Sequence, residues 1–214
     1  MTQAEAMFEP KIESLDAEDL QAIQKSKLSM LGKRLAKSQE WTDHFKSSGL
    51  SPTDLGDPDS FMAAPFLEKA DLRERYPFPL LSEQVSNVSR FCATSGTTGL
   101  PVLFGFTEAD QKLLARQVAR QLHCNDVRAQ DRGYNGFGFG LWVGGLAYDL
   151  GMQELGMTNF PVGPGRSEMV VQWLKDMEIS FAAVSPIFLA TLIRTARELG
   201  IDPANDWKLK TAVI

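Results

Sequence analysis

Residues 92–101 read Cys-Ala-Thr-Ser-Gly-Thr-Thr-Gly-Leu-Pro, so four hydroxyl side chains and two glycines fall within six positions, Thr94 to Gly99. Such a segment can hold an anion. Gly96 and Gly99 reach backbone conformations closed to other residues, which lets main-chain amides wrap a phosphate, and Thr94, Ser95, Thr97 and Thr98 add hydroxyl donors. A Walker loop would need Gly-Lys-Ser/Thr opening a helix. Here Gly99 is followed by Leu100-Pro101 and then the apolar run Val102-Leu-Phe-Gly-Phe106, so the spacing predicts a turn between two strands. A solvent-exposed turn has the same composition, and by itself the segment leaves both readings open.

A second segment, Tyr134 to Gly156, combines aromatics with closely spaced glycines. That pairing suits a pocket in which backbone approaches a flat ligand, with Phe137, Phe139 and Trp142 as walls and Gly144 and Gly145 as the close approach. Core packing is the commoner fate of any single aromatic. The glycines do not form a dinucleotide fingerprint, because Val143 stands where Gly-x-Gly-x-x-Gly, begun at Gly138, requires its third glycine.

Three blocks in order carry a family resemblance. Ser95-Gly-Thr-Thr-Gly99-Leu-Pro101 resembles the signature of the adenylate-forming acyl-CoA synthetases, in the spelling of the phenylacetate-CoA ligase branch. Upstream, Pro65-Phe-Leu-Glu-Lys-Ala-Asp-Leu-Arg-Glu-Arg-Tyr-Pro77 is similar to that branch's Pro-Phe-x-x-Lys-x-Asp-Leu-Arg-x-x-Tyr-Pro. Downstream, Phe139-Gly-Leu-Trp-Val-Gly-Gly-Leu146 matches its Tyr-Gly-Leu-Phe-Thr-Gly-Gly-Leu in glycine spacing. The resemblance implies an AMP-forming carboxylate-CoA ligase that uses ATP, Mg²⁺ and coenzyme A. It makes Thr94, Ser95, Gly96, Thr97, Thr98 and Gly99 the phosphate loop, and Phe137, Phe139, Trp142, Gly144 and Gly145 the pocket for an aromatic or apolar carboxylic acid.

This chain departs from the branch pattern at three places: Leu100 where lysine is usual, Asp149 where histidine is common, and Ile187 where tyrosine commonly follows the Ser-Pro turn. By the resemblance, the catalytic and metal-holding groups lie beyond Ile214, in a C-terminal part and lid domain. The chain is then an N-terminal fragment that turns over little alone and that self-associates through an open sheet edge. The alternatives are a non-catalytic nucleotide- or carboxylate-binding fragment, or an acyl-adenylating relative with another acyl acceptor.

The elements that must position these residues are legible from pattern. Leu20, Ile23, Leu28, Leu31 and Leu35 form a helical stripe over residues 16–37, and Pro, Gly, Asp and Ser crowd a connector at 47–60. Residues 1–60 therefore form a helical appendage and 61–214 an α/β domain. In that domain, Val88 to Ala93 and Pro101 to Phe106 are strand candidates flanking the loop, and Thr107 caps a helix with Leu114, Val118 and Leu122 on one face. Val170, Trp173, Leu174 and Met177 mark another helix. Phe181 to Val184 is a buried strand, with Ser185 and Pro186 opening a helix that Gly200 closes, and Lys210 to Ile214 is a last strand. Alternation of this kind predicts a mixed or parallel sheet flanked by helices.

Composition excludes other classes. At 214 residues and 43% hydrophobic, the chain can bury a sizeable core. A formal charge of −5 with dispersed Lys and Arg argues against nucleic acid, and no apolar run reaches bilayer length, so a membrane is not expected as a partner. The two cysteines lack metal or redox spacing, and the start of the chain lacks a leader pattern, which points to the cytoplasm. His44 and His123 read as surface residues rather than ligands.

Overall fold

Two compact units divide the chain, residues 10–105 and residues 106–214 together with the stretch ending at Glu9. The structure is a computed structural model that describes residues 7–78, 80–94, 96 and 99–213. The boundary expected near residue 60 falls inside the first unit.

That unit begins with α1 (Pro10–Glu13) and the long α2 (Ala17–Leu35), whose N-cap Asp16 accepts from the Asp19 amide at 2.9 Å. The apolar stripe of α2 buries little except at its end. Gly32 lets the helix meet the short 3₁₀ turn at Pro52–Gly56, since a Cβ there would stand 2.2 Å from the Pro52 carbonyl oxygen. α3 (Gln39–Lys46) follows, and Leu35, Phe45 and Leu55 form a small core. Trp41 ties α3 to the later chain by donating to the Leu80 carbonyl at 2.9 Å. His44 packs edge-on against Trp41 and is half-buried rather than on the surface. After α4 (Pro58–Met62) and α5 (Lys69–Glu74), β1 (Arg90–Ala93) and β2 (Leu103–Phe106) pair as a two-stranded sheet.

The second unit opens with α6 (Glu108–Cys124), started by a capping box in which Thr107 and Asp110 satisfy each other's amides. Then come β3 (Arg132–Asn135), α7 (Val143–Glu154), β4 (Thr158–Phe160), α8 (Ser167–Asp176), β5 (Phe181–Ala183), α9 (Pro186–Glu198), α10 (Pro203–Asp206) and β6 (Thr211–Val213). The strands form a parallel sheet in the order β4-β3-β5-β6. Both faces are covered, which is why β5 reads as an unbroken apolar run. Phe181 and Ala183 face a cluster with Val118, Leu122 and Met152 of α6 and α7. Ala182 and Val184 face the other side, with Val170, Leu174 and Leu192 of α8 and α9. His123 lies in the first layer against Phe8, half-buried. Glu9 is gripped by Arg120 and Arg116 of α6, which hold its carboxyl below the usual range.

The lower ends of three strands are pinned by Asp131, whose side chain is 8% exposed. Its carboxylate accepts from Ser180 Oγ at 2.7 Å and the Arg128 amide at 2.8 Å, with Lys210 Nζ at 3.1 Å. Burial pushes this carboxyl up, but the hydrogen bonds and the Lys210 charge outweigh it, and it titrates below the ordinary aspartate range. A folded-state value below the unfolded one stabilises at pH above the unfolded value, about 3.9, and that contribution disappears as pH falls through the folded value. Asp131→Asn should therefore cost about 1–3 kcal/mol near neutrality, and less as the solution is acidified. Thermal melts of both proteins from pH 7 to 3 check this; a gap that does not narrow in acid contradicts it.

Candidate functional site

The Thr94–Gly99 segment joins the two strands of the small sheet. Thr94 N–H donates to the Val102 carbonyl at 3.0 Å, and the Val102 amide donates back to Thr94 Oγ1 at 3.0 Å. That hydroxyl thus helps to shape the turn. Gly96 at φ 68° and Gly99 at φ 133° occupy the region that favours glycine, and the Gly99 amide closes on the Gly96 carbonyl at 3.1 Å. Ser95, Thr97 and Thr98, three of the expected phosphate ligands, lie outside the described residues. Leu100 is exposed. Cys92 is buried in β1, and burial pushes its thiol up, so it supplies no thiolate.

The other expected site sits at the carboxyl edge of the parallel sheet. From β3 the chain crosses to β4 on one side, whereas β5 lies on the opposite flank of β3 and leads on to β6. The strand order therefore reverses between β3 and β5, and a crevice outside the carboxyl ends at such a point is where open α/β sheets bind ligands. Gly136 leaves β3 at this point, its amide donating to the Ala183 carbonyl at 2.8 Å, and a Cβ on it would stand 2.7 Å from Val184 Cγ1.

Phe137 and Trp142 are brought together edge to face, with ring centroids 5.1 Å apart, and Tyr148 flanks Phe137 at 5.5 Å. Phe137 is half-buried against the α6–α7 core, while Trp142 and Phe139 are 52% and 43% exposed. Phe139 lies instead beside Gly163, where a Cβ would meet its ring at 3.8 Å. Gly144 and Gly145 are buried in the first turn of α7. Gly144 makes room for the Trp142 ring, 2.2 Å from where its Cβ would be, and Gly145 does the same for the Gly138 carbonyl oxygen, also at 2.2 Å. Each glycine thus shapes this edge of the sheet by admitting a neighbour. Trp142 stands at the N-cap of α7 with no side-chain cap, so the first amides of this helix point outward with the positive end of its dipole.

Asn135 was not among the residues expected at this edge. It is fully buried, donates from Nδ2 to the Gly145 carbonyl at 2.8 Å, and accepts from the Phe137 amide at 3.2 Å. A polar residue ending a buried strand just before Gly136 is a signal that the segment turns there. Tyr134, whose hydroxyl donates to the Gly163 carbonyl at 2.8 Å, is pushed well up by burial and stays protonated. Asp149, where the resembled branch commonly has histidine, holds α7 to β4 by accepting from Asn159 at 2.5 Å. Ser185 caps α9, and Ile187 is 82% exposed. Among the described residues no cluster of His, Cys, Asp and Glu could hold a metal ion, and no helix is long and apolar enough to cross a membrane.

No protein-family profile matches the chain. Among curated proteins it is 33% identical over 212 residues to the phenylacetate-coenzyme A ligase of Thermus thermophilus, covering 97% of this chain and 47% of that protein. It is 32% identical over 193 residues to the enzyme of the same name from Aromatoleum evansii, covering 90% of this chain and 44% of that one. The chain thus spans about half the length of the curated relatives it matches. Among solved structures, 2-hydroxyisobutyryl-CoA ligase in complex with 2-HIB-AMP and CoA superimposes with a TM-score of 0.87 at 27% identity, covering 95% of this chain and 44% of that one. The order of the three sequence blocks, the parallel sheet with its switch point and these likenesses converge, and the chain belongs to the phenylacetate-CoA ligase family as an N-terminal part.

Proposed function

We propose that this chain carries the phosphate loop and the acyl-binding edge of an AMP-forming ligase that joins an aryl or other apolar carboxylic acid to coenzyme A. The observation that carries the reading is the pairing of exposed Trp142 with half-buried Phe137 at the switch point of a parallel sheet, beside the uncapped start of α7. Aromatic walls take the apolar body of an acid, and outward amides at a helix start favour its carboxylate.

In the first step a carboxylate oxygen attacks the α-phosphorus of ATP; the bond to the bridging oxygen breaks and pyrophosphate leaves. In the second, the thiol of coenzyme A adds to the acyl carbon and loses its proton, and AMP departs. For the first step, Thr94, Ser95, Gly96, Thr97, Thr98 and Gly99 would supply hydroxyls and amides to the phosphate oxygens, where charge is greatest. Mg²⁺ would arrive with the nucleotide and neutralise charge on its phosphate oxygens. We assign the protein to the cytoplasm, consistent with two free cysteines. The outer edge of β6, paired among the described residues only with β5, is proposed to accept a strand from a second copy; sedimentation velocity over a concentration series tests this.

Titration calorimetry with Mg-ATP, then with phenylacetate and an alkyl acid series, tests the reading. Aryl acids should bind more tightly than short alkyl ones, and Gly96→Val should remove ATP binding by straining a φ of 68°. Leu100→Lys should tighten ATP about tenfold, close to 1.4 kcal/mol, by restoring a cation beside the phosphates. Millimolar ATP and phenylacetate both failing to bind would sink the proposal. Exposed Leu100 favours a second reading, a binding fragment without turnover. Under that reading both ligands bind, yet no pyrophosphate is released.

A further inference from the structure

We infer that Asn135 is a positioning residue for the acyl-binding edge, holding the glycine turn and the first turn of α7 in the arrangement that seats Trp142 against Phe137. Its bearing on ligand rests on the acyl-pocket reading above; its geometry does not. Three chain segments converge on this one residue. The side-chain oxygen takes the Phe137 amide at 3.2 Å, the side-chain nitrogen donates to the Gly145 carbonyl at 2.8 Å, and the main-chain carbonyl takes the Gly163 amide at 2.9 Å. The turn after β3 and the start of α7 are thereby fixed to one fully buried side chain at the end of the central strand, and the loop after β4 to the main chain of the same residue.

The chemistry is specific to an amide. The residue must accept on one branch and donate on the other, with the two targets set by main chain that cannot rotate away. An aspartate keeps the acceptor but turns a carboxylate toward the Gly145 carbonyl; a leucine satisfies neither. Because the side chain is fully buried, bulk solvent does not reach a lost partner, and the turn must shift to relieve either mismatch. The shift would pass along a short path. Moving Gly145 moves Gly144, whose missing side chain is the seat of the Trp142 ring, and Trp142 is one half of the aromatic pair. Asn135 itself is fully buried, out of a ligand's reach, so it acts through Trp142.

The experiment uses the chain labelled with 5-fluorotryptophan, whose four tryptophans include Trp142, assigned by Trp142→Phe. In Asn135→Asp the Trp142 fluorine resonance should move or broaden while those of Trp41, Trp173 and Trp207 stay in place. Phenylacetate affinity should fall tenfold or more, with ATP affinity changed less than twofold. Asn135→Ser, which keeps a smaller donor and acceptor, should show an intermediate Trp142 shift and covers the case in which the aspartate variant does not fold. An unmoved Trp142 signal in a folded variant overturns the inference. So does joint movement of all four signals, or failure of both variants to fold, because each describes an ordinary core residue. If Trp142 moves as expected but wild type binds no aryl acid, the positioning role stands and the acyl-pocket reading falls.

Discussion

Gly145→Ala should abolish phenylacetate binding and lower the melting temperature by about 3–10 °C. The added methyl would begin 2.2 Å from the Gly138 carbonyl oxygen and 2.9 Å from its carbon, and both are backbone atoms without a rotamer to escape into. Overpacking of this kind costs about 1–3 kcal/mol, which for a chain of this size corresponds to a few degrees per kcal/mol. Relief comes by displacing the 136–142 turn, and with it the Phe137–Trp142 pair. Gly138→Ala is the matched control. A Cβ at Gly138 meets nothing within 4 Å, and its backbone angle is not one that requires glycine, so both binding and melting should match wild type. If Gly145→Ala melts and binds like that control, the close approach of Gly145 to the Gly138 carbonyl does not exist in solution.

Phe181→Ala should be the most destabilising single truncation, at about 3–5 kcal/mol out of a typical total of 5–15. Phe181 is fully buried in the middle of the second unit, on the central part of the sheet, where it joins Met152 and Met157 in the core beneath α6 and α7. Its ring also fills the space above Gly133, coming 3.3 Å from where a Cβ would be. Truncation leaves a cavity between a parallel strand and two helices whose own contacts hold them apart, so collapse is limited. Urea unfolding should show a lower midpoint with an unchanged slope. A loss below 1 kcal/mol would mean that β5 does not bury this ring beneath α6 and α7.

Much of the second unit could be read from the amino-acid order because its signals are local. Thr107 and Asp110 spell a capping box, Ser185-Pro186 opens α9, and the run from Phe181 needs covering on both faces; each element appears within a few residues of where its pattern predicts. The alternation of strand and helix pointed to a mixed or parallel sheet, but the reversal of strand order between β3 and β5 was not legible, because it depends on which strands find each other across long separations. The role of Asn135 was hidden for a related reason. Its partners, Gly145 and Gly163, are ten and twenty-eight positions away and contribute only main-chain atoms, which no side-chain pattern marks. The histidines misled for the opposite reason. His44 and His123 stand among polar helix residues, yet each turns toward an aromatic neighbour that sequence spacing does not point to.

The strand order also bears on how the chain is made. β3 is the first strand of the parallel sheet to leave the ribosome, yet it ends up between β4 and β5, and Phe181 of β5 follows Arg132 of β3 by 49 residues. At about 5–20 residues per second, translation of that interval takes roughly 2–10 s. During that time the strand that will carry Asn135 has at least one hydrogen-bonding edge without its final neighbour. Synonymous codons that slow elongation between Asn135 and Phe181 would lengthen this interval without altering a single side chain, and the yield of soluble protein should fall with it.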